Sequence, residues 1–158
     1  CGHPGRQAKF KMVGSFLWCL LPSGRAICYP KPKLLEGEYG PQVTFMVQPS
    51  QDDKKKSKVI YDPNSGANWV RIAGYGGSLF NRIIQGMCRD LLAGGLLTLD
   101  AMGASIVLHT HDDVNLEVDA AKAERARIAM EQAMRQAPAW AAGIPLKADC
   151  KIMARYGK

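Results

Sequence analysis

A chain of 158 residues with 47% apolar and 22% charged side chains has the make-up of an ordinary globular domain, able to bury roughly two-thirds of its unfolded surface. That composition excludes a disordered or fibrous chain, and no apolar run approaches the ~18 residues a membrane-spanning helix needs. A formal net charge of +7 suits an anionic partner, nucleic acid being the usual one, though plain solubility explains it too. The five cysteines (Cys1, Cys19, Cys28, Cys88, Cys150) are odd in number, scattered and without a C-x-x-C pair. They argue against a disulfide framework or zinc knuckle and for a reducing compartment. The N-terminus, CGHPGRQAKFK, is no secretory signal, so the expected location is cytoplasmic, with no membrane partner. A first residue of Cys suggests a chain processed or cut from something longer.

In chain order, SFLWCLL, PSGR and AICY predict a β-hairpin turning at Pro22-Ser23-Gly24. VTFMVQ (43–48) reads as a strand leading into the charge run QDDKKKSK (51–58), a solvated loop tip or, less readily, a phosphate-binding patch. KVIYDPNSGANWVRI (58–72) predicts two short strands flanking a Pro-Asn-Ser-Gly turn. From 78 to 100 the apolar residues Phe80, Ile83, Ile84, Met87, Leu91 and Leu92 recur at helical spacing, with Ser78 as N-cap. Gly94 and Gly95 would each cost that helix about 1 kcal/mol relative to alanine, so its last turns are weakly specified. Residues 105–118 alternate as two strands around His111-Asp112, where Asp can take the positive φ of a tight hairpin. A second helix spans 119–137, capped by Asp119 and stopped by Pro138, and IPLKADCKI (144–152) predicts a closing strand. The order implies an α+β fold: an antiparallel sheet covered on one face by two long helices.

The chemistry concentrates in LHTHDDVNLEV (108–118). At a hairpin tip the carboxylates of Asp112 and Asp113 can turn toward one site. Two like charges that close repel unless a cation shares them, and carboxylate oxygens suit Mg²⁺ or Mn²⁺. On spacing alone, a solvated Asp-rich turn explains the pair equally well. His109-x-His111 also has the outline of an HxHD-type zinc hydrolase, but such a site needs further ligands and only His3 remains. His109 reads instead as a structural histidine. On the long helix, Asn81, Gln85 and Arg89 fall at i, i+4 and i+8 and draw one polar stripe. Neutral amides suit the minor groove, where every base pair presents similar acceptors; bridging of neighbouring backbone is the competing reading. GYGGSLFN lacks a phosphate-loop pattern, and Cys88 and Cys150 have no neighbouring base that would make a nucleophile.

Four segments taken together carry a resemblance: FLWCLLPSGRAICYP (16–30), YGGSLFNRIIQGMCRDLL (75–92), VLHTHDDVNLEV (107–118) and PAWAAGIPLKAD (138–149). In this order they resemble the C-terminal palm portion of a family A DNA-directed DNA polymerase, the phage-type, polymerase-I-like enzymes. The resemblance implies that 107–118 is motif C, a strand-turn-strand whose Asp112 ligates two catalytic Mg²⁺ ions, for which Mn²⁺ can substitute. Asp113 stands where the family has Glu. It further implies His111 against the primer 3′ end, Asn81 and Gln85 in the minor groove with Arg89 beyond them, and Arg25 on a template phosphate. Residues 1–50 would be the β segment that follows the fingers, 51–74 a β-hairpin or loop insertion and 75–158 the C-terminal half of the palm, in one continuous domain.

The family's other palm aspartate, from a D-Y-S-x-I-E-like motif, is absent, and so is its R-x-x-x-K fingers helix. The register puts Pro63, Ala67 and Arg71 where Arg, Lys and Phe should stand. The implied partners are therefore primer-template DNA, a dNTP and a second polypeptide carrying motif A, fingers and thumb. Alone, the chain should not polymerise. A split subunit, a cleaved fragment and an inactive DNA-binding or assembly remnant all fit this pattern.

Overall fold

The computed structural model describes residues 7–37, 40–48, 59–60 and 69–156. Two compact units divide the chain, Cys1–Gly86 and Met87–Lys158, and the boundary falls inside one continuous helix.

In the first unit, β1 (Lys9–Val13), β2 (Phe16–Leu20) and β3 (Ala26–Pro30) form an antiparallel three-stranded sheet. The β2–β3 hairpin turns where the sequence places it. Leu21 N–H donates to Arg25 O at 2.7 Å, and Gly24 N–H donates to Leu21 O at 2.9 Å. Pro22 follows Leu21 at the position whose φ proline pre-sets, and Gly24 takes φ 90° at the close of the turn. Alternation then decides the buried face: Leu17, Cys19, Leu21, Ile27 and Tyr29 point into one core.

The opposing wall is an antiparallel sheet of order β4-β5-β7-β6, built from β4 (Lys33–Gly37), β5 (Gly40–Val47), β6 (Val59–Ile60) and β7 (Val70–Gly74). Phe45 pairs with Ile72 in register, and both enter the same core. The Tyr29 and Phe45 rings meet edge to face with centroids 4.8 Å apart. The charge run 51–58 and the Pro-Asn-Ser-Gly turn lie outside the described residues.

The helix α1 runs Gly76–Ala101, two residues earlier than a Ser78 cap would start it. Ser78 sits inside the first turn, where its hydroxyl donates to Tyr75 O at 2.8 Å. Of the apolar set, Phe80 and Ile84 are exposed, so the helix face that packs is narrower than the periodicity suggests. The helix runs through Gly94 and Gly95 because tertiary packing outweighs propensity. Gly95 lies under Met134, where a Cβ would come 2.6 Å from its Sδ.

The second unit adds the hairpin of β8 (Ile106–His109) and β9 (Val114–Leu116), a 3₁₀ turn (Ala120–Lys122), and α2 (Ala123–Arg135). Its core joins Leu92 and Leu99 of α1, Val114 of β9 and Ala133 of α2. Asp119 precedes the 3₁₀ turn without a side-chain cap bond, and its carboxylate pairs with Lys122 at 3.0 Å instead. α2 ends at Arg135, short of Pro138. Residues 144–152 are not a strand. No ladder forms along them among the described residues, and an extended segment without a neighbour is not a sheet; Arg135 reaches Ala148 O at 3.2 Å. The α+β class with antiparallel strands therefore stands, with the strands divided among three sheets.

Candidate functional site

The hairpin that carries the two aspartates is short and closely defined. His109 pairs with Val114, and Thr110 N–H donates to Asp113 O at 3.0 Å, leaving His111 and Asp112 as a two-residue tip. The tip closes without the left-handed backbone expected of Asp112. Among the described residues Lys31 alone of the non-glycines has positive φ. Val114, 8% exposed, anchors β9 in the core beneath, while His111, Asp112 and Asp113 are all exposed. A register break between Ile106 and Leu108 bends β8. Thr110 Oγ1 lies 3.4 Å from Asp113 Oδ2 and donates to it, so one carboxylate is partly steered by its own hairpin while Asp112 stays at the tip.

These donors fit a hard divalent cation. Magnesium commonly takes one or two carboxylates and draws its other ligands from water and substrate phosphate. Among the described residues no group of three or more His, Cys, Asp or Glu side chains is gathered around a common point. The tip itself offers two carboxylates and His111 as exposed side chains. His109, read from the sequence as a structural histidine, is exposed at the end of β8, where it pairs with Val114.

On α1, Asn81, Gln85 and Arg89 are all exposed and follow one face of a continuous helix. Exposed Phe80 (62%) and Ile84 (41%) sit one residue before each amide. The exposed amides are thus edged by exposed apolar groups.

Arg25 has a structural employment that its sequence position did not disclose. Its Nη2 donates to Gly86 O at 2.8 Å, and a Cβ on Gly86 would come 2.8 Å from Leu21 Cδ1 and 3.3 Å from Arg25 Nη2. Gly86 thus lets the helix approach the β2–β3 turn closely enough for this bond. The sequence reading also gave no weight to Arg71, which is 2% exposed in β7. A lone arginine inside the apolar run VRIAG was the available signal, since buried charge requires dedicated partners.

With this geometry in place, the sequence relationship is specific. The chain is 34% identical over 151 residues to a DNA polymerase of Bacillus phage SP02. It is similar to one segment of a phage polymerase. The match takes in 94% of this chain, too much to omit either the hairpin or α1, and the chain spans about a fifth (21%) of the SP02 polymerase. No family model matches the chain, and no solved structure matches it.

Proposed function

We propose that the chain is the C-terminal palm segment of a family A DNA-directed DNA polymerase, contributing motif C to nucleotidyl transfer. The observation that carries this reading is Asp112 at an exposed two-residue tip, in a chain aligned with a phage DNA polymerase over 94% of its length. Residues 1–50 then lead in from the fingers, 51–74 are an insertion and 75–158 complete the palm. Motif A, the fingers and the thumb, which these residues do not contain, would complete the active site.

Asp112 and Asp113 would hold two Mg²⁺ ions, or Mn²⁺ in their place. When bound, such ions favour the deprotonated primer 3′-hydroxyl and offset charge on the leaving pyrophosphate. The protein's part is positioning. Val114 fixes the strand below the tip, His111 meets the primer end, and Asn81 and Gln85 lie along the minor groove of the primer-template with Arg89 beyond them.

Purified together with a polypeptide carrying motif A, fingers and thumb, the chain should extend a primer in the presence of Mg²⁺. Asp112→Ala should lower that rate by about 100-fold or more. Undiminished extension by this variant overturns the assignment. Asp113→Asn should cost less, because that carboxylate is already engaged by Thr110.

A further inference from the structure

The chain's excess positive charge lies in one place. Residues 1–86 carry twelve Lys and Arg against five Asp and Glu, whereas residues 87–158 carry nine of each. The entire +7 therefore belongs to the first unit, although the aspartate hairpin belongs to the second.

Within that first unit a cavity of about 420 Å³ is lined on its polar side by Ser15, Lys31, Lys33 and Arg71, and on its apolar side chiefly by Met12 and Met46. Its frame is rigid. Arg71 Nη1 donates to Lys31 O at 3.0 Å and to Thr44 Oγ1 at 3.2 Å, and Thr44 Oγ1 donates to Lys33 O at 3.0 Å. Lys31 N–H donates to Ser15 O at 2.8 Å. These bonds grip Lys31 through both its N–H and its carbonyl and keep it at φ 44°, a left-handed conformation unusual for lysine. Lys31, Lys33 and Ser15 are exposed along this cavity, and Arg71, 2% exposed, lies behind them.

We propose that this cavity seats a backbone phosphate of a nucleic-acid strand, with Lys31, Lys33 and Ser15 as donors and Arg71 as the fixed charge behind them. It is a strand-binding site additional to the hairpin and the amide face, and it does not rest on the motif C reading.

The test is fluorescence anisotropy of a labelled single-stranded DNA oligonucleotide on the full chain across a salt series. Lys31→Gln with Lys33→Gln should weaken binding about tenfold or more at low salt and reduce the slope of log K against log salt by about 0.7 or more, one phosphate contact on a single strand. Lys9→Gln with Lys11→Gln removes the same charge from β1, outside the cavity, and should change affinity less than about threefold. Equal weakening by the two pairs overturns the proposal, since charge alone would then explain it. Lys31→Arg with Lys33→Arg should retain binding; a loss as large as that of the glutamine pair overturns it as well. Inorganic pyrophosphate binding that disappears in the glutamine pair, with oligonucleotide binding unchanged, overturns the strand assignment. Because Asp112 is intact throughout, primer extension failing in the reconstituted polymerase leaves this test unaffected.

Discussion

Single residues in this fold carry costs that substitution can reveal. The Tyr29 hydroxyl and the Asn115 Nδ2 are both buried and without a hydrogen-bond partner among the described residues. A buried donor left unmade costs about 1–3 kcal/mol, so removing it recovers part of that. Asn115→Val, which also suits a strand position, should raise stability by about 1 kcal/mol in urea unfolding; a lower midpoint would show that the amide has a partner after all. Titration gives a second residue-scale expectation. Burial pushes the Cys19 thiol and the Tyr29 phenol up, with Cys19 adding to the Tyr29 shift and Arg82 opposing it. Both groups hold their protons more firmly folded than unfolded. The stability they contribute is complete below the unfolded thiol value of roughly 8.5 and is lost as pH climbs through the raised folded ones. Unfolding free energy should fall from about pH 8.5 upward, less steeply in Cys19→Ala. Parallel curves for the two proteins would sink this account.

At the scale of elements, close approach decides what propensity leaves open. α1 survives Gly94 and Gly95 because Leu92 and Leu99 are buried and Gly95 admits Met134. Leu99→Ala, at a position 1% exposed, should cost about 2–5 kcal/mol and loosen the aspartate hairpin packed on the same core. Hydrogen exchange at Val114 and Leu116 should quicken in step. Arg25→Ala should cost about 1–2 kcal/mol through the lost bond to Gly86, partly screened by solvent. A variant of unchanged stability but altered salt slope would instead make Arg25 chiefly a phosphate contact. On α2, Arg127 bonds Glu124 at 2.8 Å and Glu131 at 3.0 Å, and Arg135 pairs with Glu131, a charged ladder along one side of the helix. The bond from Arg127 holds the Glu124 carboxyl below the usual carboxylate range. Its contribution is present above the unfolded carboxylate value and fades as pH falls through the folded one.

For the whole molecule, the uneven charge makes a simple expectation. Replacing Lys147, Lys151 and Arg155 with Gln should alter nucleic-acid affinity little, because the net charge of residues 87–158 is zero and the excess is carried elsewhere. An affinity loss as large as that from the Lys31 and Lys33 pair would show that the second unit contributes comparably. Among the described residues no helix is long and apolar enough to cross a membrane.

Local chemistry was enough to reveal the β2–β3 hairpin, the long helix and the two-residue tip at His111-Asp112, because each depends on neighbours in sequence: a Pro-Ser-Gly turn, a 3.6-residue apolar period, an alternating run broken by two polar residues. The aspartate pair and the amide stripe were legible for the same reason. What required the tertiary structure was everything set by distant partners. IPLKADCKI has the composition of a strand and lacks a ladder; Arg25 looks like a free cation and reaches across 61 residues to Gly86. Lys31, Lys33 and Arg71 are separated in the chain by up to 40 residues and share one cavity. Backbone hydrogen bonds and buried charges are satisfied wherever the fold brings a partner, and sequence periodicity describes only which way a side chain faces.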